Sequence, residues 1–143
     1  MTFPRVAVAM SGGVDSSVAA MLLKQTGYDV IGITMLLTDS EQNIDSVDHA
    51  ASVAAELRIK HHIINLSGQF QTNVIDYFCE SYRNGLTPNP CIVCNRVIKF
   101  GTLLEYADYL GASHLATGHY ARIQSSQCVY RLFKGLNSQK DQS

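Results

Sequence analysis

Ser11-Gly12-Gly13-Val14-Asp15-Ser16 is the first stretch of this chain whose residue types suggest chemistry. Two adjacent glycines let the backbone take positive φ and turn successive N–H groups the same way. A helix starting here adds its dipole, and the serines add hydroxyl donors. The result is an anion cradle of phosphate size. The lysine of G-x-x-x-x-G-K-[ST] is absent, as is the G-x-G-x-x-G pattern, so this is neither of the two common nucleotide loops. A plain glycine turn with a serine cap is the structural alternative. Asp15 is the odd member, because a carboxylate among phosphate donors makes sense chiefly where a Mg2+ ion sits between them.

Cys91-Ile92-Val93-Cys94 is the second such stretch. It follows a loop punctuated by Gly85, Pro88 and Pro90, and it precedes Asn95, Arg96 and Lys99. Cys94 at the start of a helix beside cations has the setting that lowers a thiol pKa and raises its thiolate fraction. A lone C-x-x-C also permits a redox disulfide, or half of a zinc or iron–sulfur site. The chain has no second C-x-x-C or H-x-x-C, so no residue set is assigned to a resident metal, and a cluster would need a further cysteine. Cys79, among apolar neighbours, and Cys128 read as small buried fillers. His119 follows Gly118 and is placed near any phosphate or base bound there, whereas His49, His61, His62 and His114 have no partner pattern and read as surface or packing residues. Arg96, Lys99, Arg122, Arg131, Lys134 and Lys140 are candidates for an RNA approach surface, with scattered solvated charge as the default reading.

These groups need a scaffold, and the hydropathy pattern supplies one. Arg5 to Met10 is a short valine-rich strand, followed by the Ser11-Gly12-Gly13 turn and by Val14, Val18, Leu22 and Leu23 at helical spacing up to Gly27. Val30 to Leu36 is a second buried strand. Thr38 to Asn43 reads as a loop before a helix carrying Ala50, Ala51, Val53, Ala54 and Leu57. His61 to Leu66 is a third strand, a helix runs from Phe70 to Tyr82, another from about Asn95 to Leu110, and Ser113 to His119 is a fourth strand. Repeated βα units predict an α/β fold with a doubly wound parallel sheet, whose ligands bind at the carboxyl ends of the strands. The end of the chain differs: Ala121 to Ile123 and Val129 to Phe133 flank Gln124 to Gln127 as a hairpin would, and Lys134 to Ser143 is polar without an apolar pattern.

With 46% hydrophobic and 16% charged residues, the chain matches a globular domain with one ordinary core, which excludes disordered and collagen-like classes. No apolar run approaches the roughly 18 residues of a membrane span, and no signal peptide is visible, so a cytoplasmic location is expected. In that compartment, cysteines are more often free, metal-bound or catalytic than a disulfide framework. A net charge of −1 gives no global footprint for nucleic acid.

The segment Ala9 to Ala19 resembles the pyrophosphatase-type loop of the N-type ATP pyrophosphatases, which grips the β and γ phosphates that leave together. Three further segments narrow the resemblance: Thr87 to Phe100, Ala116 to Arg122, and Lys140-Asp141-Gln142-Ser143. In this order they are similar to the bacterial and organellar tRNA-specific 2-thiouridylases, the MnmA/TrmU family, over essentially the whole chain. The resemblance implies ATP-dependent thiolation of the tRNA wobble uridine. Its C2 oxygen is adenylated with release of pyrophosphate, and sulfur from a cysteine persulfide then displaces AMP.

By the same resemblance ATP would lie on Ala9, Met10, Ser11, Gly12, Gly13, Val14, Asp15 and Ser16, with Mg2+, and its adenosine on Met35 and Gly118; Met35 alone would read as a core methionine. Cys94 would be the catalytic cysteine. Its partner for the persulfide and a transient disulfide lies beyond the end of this sequence. Asn89, Pro90 and Cys91 would contact the target base, although many members carry Asp where this chain has Cys91. Lys140, Asp141 and Gln142 would contact tRNA. The implied partners are tRNA and a sulfur-relay or cysteine desulfurase donor, with no membrane.

Family members are considerably longer. The expectation is therefore a catalytic ATP-pyrophosphatase unit at 1–120 and a hairpin with the start of a linker at 121–143, binding ATP but not thiolating tRNA alone. Two rivals stay open. Another ATP pyrophosphatase of the GMP, NAD or argininosuccinate synthetase type shares the loop but has no use for the cysteines, and a non-catalytic nucleotide-binding module would never release pyrophosphate.

Overall fold

A computed structural model of the chain describes residues 3–126 and 129–139. Four parallel strands form the sheet, β1 (Arg5–Ala9), β2 (Asp29–Leu36), β3 (Lys60–Asn65) and β4 (His114–Ala116), in the order β3-β2-β1-β4. Helices α1 (Val14–Gln25) and α2 (Glu41–Glu56) follow the first two strands. After β3 the chain runs through α3 (Ser67–Phe70), a π-helical stretch (Gln71–Asp76) and α4 (Tyr77–Arg83). It then runs through α5 (Pro90–Cys94), a second π-helical stretch (Asn95–Thr102) and α6 (Leu103–Tyr109).

Val6, Ala7 and Val8 are buried one after another, as a strand covered on both faces requires. One face places Ala7, Ile31 and Ile33 against Leu103 and Ala107 of α6. The other places Val8, Met10 and Val30 against Ala20 of α1 and Ala50 and Ala54 of α2. Helices on both faces, with strand order reversing between β1 and β4, give the doubly wound arrangement expected from the pattern. The reversal opens a crevice at the carboxyl ends of these two strands, between the Ser11–Ser16 loop and Thr117–Gly118.

Several boundaries depart from the sequence reading. Helix α2 begins at Glu41, inside the expected loop, because the Ser40 hydroxyl caps it by accepting from the Asn43 N–H. Strand β4 ends at Ala116, leaving residues 117–120 as an irregular segment across the crevice. Helix α5 starts at Pro90, with Asn89 as N-cap accepting from the Ile92 N–H, so Cys94 lies a turn inside a helix and not at its start. Cys79, expected as a buried filler, is exposed. The two hairpin strands, β5 (Ala121–Ser126) and β6 (Val129–Lys134), pair antiparallel through Ser126 opposite Val129, further than the expected turn at Gln124. Cys128, Lys140, Asp141 and Gln142 lie outside the described residues.

Candidate nucleotide and thiol site

The crevice holds a cavity of about 430 Å³, within the range of small-molecule sites. The first loop contributes Ala9, Met10, Ser11, Asp15 and Ser16, the end of β2 contributes Thr34, Met35 and Leu37, and Gly118 and His119 close the far side. Asn43 and Ser46 of α2 and Lys99 of the second π-helical stretch complete the wall. Seven of the residues expected at ATP are therefore gathered in one cavity: Ala9, Met10, Ser11, Asp15, Ser16, Met35 and Gly118. Gly12, Gly13 and Val14 do not line it; the Val14 side chain is exposed at the start of α1, where the backbone N–H groups lack intrahelical partners.

The loop is held by its own serines and by its neighbours. The buried Ser16 hydroxyl accepts from the Ser11 N–H at 3.1 Å and donates to the Gly13 carbonyl at 3.3 Å. Ser16 thus shapes the cradle, while the exposed Ser11 faces it. Gly12 has φ +77°, and a Cβ there would stand 2.4 Å from the Ser46 carbonyl oxygen. Gly118 is needed for close approach: a Cβ would stand 2.8 Å from the Ser16 nitrogen and 2.9 Å from the Asp15 carbonyl carbon. Met10 is buried, with its sulfur over Gly32, so its side chain belongs to the core. The buried Thr34 hydroxyl donates to the Met10 carbonyl at 2.8 Å; with that proton committed, His61 Nε2 is the donor to Thr34, also at 2.8 Å. Burial, then the neighbouring His62, lowers the His61 pKa and keeps the ring neutral.

Asp15 is exposed, and Tyr120, from the segment after β4, donates its phenol to Asp15 Oδ1 at 2.7 Å. A single carboxylate beside a phosphate cradle is a donor set that suits Mg2+, which takes one or two carboxylates plus substrate phosphates. The sequence reading missed Tyr120, as well as Lys99 as part of the cavity wall; only their places beside Gly118 and Cys94 marked them.

Cys94 does not line the cavity. It is half-buried beside Leu66, Val74 and Ile98. Burial raises its pKa, Lys99 opposes that rise, and Cys91 adds to it. This corrects the expected lowering: a thiol inside the helix loses the helix-start advantage and pays desolvation. Cys91 and Asn89, at this helix start, are exposed. His119 donates to or accepts from Thr117 Oγ1 at 2.7 Å, packs on Phe100, and has its pKa lowered by burial and then by Lys99.

Comparison with known proteins places this site in context. The family model described as "tRNA methyl transferase HUP domain" matches residues 4–143. The tRNA-specific 2-thiouridylase MnmA of Syntrophomonas wolfei is 51% identical over 142 residues, covering 97% of this chain and 40% of that protein. MnmA of Trichlorobacter lovleyi is 54% identical over 142 residues, covering 97% of this chain and again 40% of its own length. Among solved structures, the U34-tRNA thiolase NcsA from Methanococcus maripaludis with its 4Fe-4S cluster aligns at a TM-score of 0.61 and 27% identity, over 82% of this chain and 38% of that one. Among the described residues no three His, Cys, Asp or Glu side chains gather to hold a metal. No described helix is long and apolar enough to cross a membrane. The chain spans about 40% of the length of the MnmA relatives; it belongs to the tRNA methyl transferase HUP-domain family, in the N-terminal portion that the tRNA-specific 2-thiouridylases share.

Proposed function

We propose that the protein carrying this chain uses ATP to thiolate the C2 position of a tRNA wobble uridine, with residues 1–120 as the nucleotide-binding catalytic unit and 121–143 leading toward the parts that grip tRNA. The observation that carries this reading is the convergence of the Ser11–Ser16 loop, Met35, Gly118 and Lys99 on one cavity, with Cys94 on the helix that bears Lys99.

The triphosphate enters with its β and γ phosphates on the N–H groups at the start of α1 and on the Ser11 hydroxyl, and its adenosine lies toward Met35 and Gly118. Asp15 is the residue that would hold Mg2+, which when bound offsets charge on the leaving pyrophosphate. Uridine O2 attacks the α phosphorus, the bond to the β-phosphate oxygen breaks, and pyrophosphate leaves. Persulfide sulfur then adds at C2 and AMP departs with the C2 oxygen. Cys94 and a second cysteine share the roles of persulfide carrier and resolving thiol; attack of the resolving thiolate on the persulfide breaks its S–S bond, leaves sulfur on the base and forms a disulfide. Asn89, Pro90 and Cys91, at the exposed helix start, are read as the target-base contact, and Lys140, Asp141 and Gln142 as a tRNA contact. A dithiol reductant would reopen that disulfide, taking its place as the oxidised partner, and a sulfur-relay or desulfurase protein would then recharge the cysteine with persulfide sulfur.

The test is pyrophosphate release from ATP with unmodified tRNA, with mature thiolated tRNA, and with no RNA. Release that requires unmodified tRNA supports the reading. Release driven by a small metabolite, insensitive to loss of Cys94, would assign the chain to a synthetase of the same fold instead.

A further inference from the structure

Lys99 is the one lysine or arginine among the described residues lining the cavity. It stands five residues after Cys94, and the stretch Asn95–Thr102 between and beyond them is π-helical. In an α-helix, residues five apart diverge around the axis; an i→i+5 turn stacks them. Gly101 permits the wide turn, since a Cβ there would stand 3.2 Å from the Arg96 carbonyl oxygen. Lys99 therefore faces two ways. Among the described residues its charge favours the Cys94 thiolate, and it is also part of the cavity wall with Ser11, Asp15 and Ser16.

We propose that Lys99 is shared between two anions, the nucleotide's phosphates and the Cys94 thiolate, so that filling the phosphate cradle holds the thiol in its unreactive form until pyrophosphate has left. The inference rests on the nucleotide reading above. One ammonium cannot neutralise a triphosphate and a thiolate together; whichever anion it pairs with, the other loses part of its support, and by linkage the effect is reciprocal. The ordering suits the chemistry, because a thiol activated before adenylation would react with no electrophile in place. Arg96, two residues after Cys94, is exposed and does not line the cavity, so it does not join the two sites. Cys91 is the other titratable group acting on it from its own helix, and the facing elements bring Leu66 and Val74. Asp76, the acid of the facing π-helical stretch, is exposed and accepts a hydrogen bond from Gln71, and on the crevice side the charge of Lys99 lowers the His119 pKa after burial does.

The experiment is the pH dependence of Cys94 alkylation by iodoacetamide, read at the Cys94-bearing peptide by mass spectrometry, with and without a non-hydrolysable ATP analogue. Nucleotide affinity is measured separately by calorimetry. In the native protein the analogue is expected to move the midpoint of the curve upward and to slow alkylation at neutral pH by about threefold or more. Simple shielding would lower the plateau and leave the midpoint in place. Lys99→Met should start with a higher midpoint and show no movement, while Lys99→Arg should keep the movement. An analogue that binds without moving the native midpoint, or that moves it equally in Lys99→Met, overturns the inference and leaves the nucleotide reading standing. Failure of the analogue to bind at all overturns both.

Discussion

The phenol of Tyr120 donates a 2.7 Å hydrogen bond to Oδ1 of Asp15, joining the segment after the fourth strand to the loop after the first across 105 residues of chain. Two elements beside the cavity are thus tied at the carboxylate proposed above to hold Mg2+. The bond is exposed, so its worth to folding is small, and its consequence lies in orienting Asp15. Asp15, with that bond as the largest cause, raises the Tyr120 pKa and keeps the phenol protonated as donor. Tyr120→Phe should leave the melting temperature nearly unchanged and raise the Mg2+ concentration needed for half-maximal pyrophosphate release by roughly tenfold, as loss of a ligand-orienting partner does. A magnesium titration of both proteins checks this, and unchanged metal dependence would remove Tyr120 from the site.

Gly118→Ala tests whether close approach is the reason for glycine at this position. The added carbon meets backbone atoms of Ser16 and Asp15 at 2.8 and 2.9 Å, so the loop must shift. Overpacking of this kind costs about 1–3 kcal/mol, and the displaced N–H groups should weaken ATP-analogue binding by roughly tenfold or more. Urea unfolding with calorimetry separates the two effects.

His61 gives a pH prediction whose sign follows from its environment. Burial, and then the charge of His62, lowers its folded pKa, and its neutral ring is the donor to Thr34. As pH falls, the unfolded chain takes up the proton first. Stability is therefore fully present above the free-imidazole value of about 6.5 and is lost as pH falls from there through the lower folded value. His119, lowered by burial and then by Lys99, adds a loss of the same sign. Urea midpoints should fall between about pH 7.5 and about pH 5.5, by less in His61→Gln than in the native protein.

Asn89→Ala separates a helix-cap role from a target-base role. The side chain caps α5 by accepting from the Ile92 N–H, and losing such a cap costs about 1 kcal/mol. Asn89→Ser keeps a cap. If Asn89 also meets the base, both variants should raise the KM for tRNA; if the cap is its whole role, Asn89→Ser should match the native enzyme.

Strands β1 and β2 were legible as valine- and isoleucine-rich apolar runs, and the turn between β1 and α1 because Gly12 and Gly13 stand between a strand and a helix. Met35 and Gly118 were placed only by family resemblance; nothing in their local sequence separates a methionine of the core or a strand-end glycine from a cavity wall. Cys94 was singled out by its motif, but its surroundings raise the thiol pKa where the sequence suggested a lowering. Reading the helix from Asn95 overlooked the start signal in Asn89-Pro90, an N-cap followed by proline in the first turn, and burial by Leu66 and Val74 comes from distant parts of the chain. The π-helical stretch Asn95–Thr102 has no pattern that α-helical periodicity reveals.

The central claim, adenylation of tRNA before sulfur transfer, is tested most directly by trapping. The protein carrying Cys94→Ala is incubated with unmodified tRNA and ATP labelled at the α phosphate, and the RNA is scored for retained label. The account predicts tRNA-dependent pyrophosphate release with labelled adenylate accumulating on the RNA, and no thiolated product. Loss of pyrophosphate release in Cys94→Ala, or release with no label on the RNA, would contradict it.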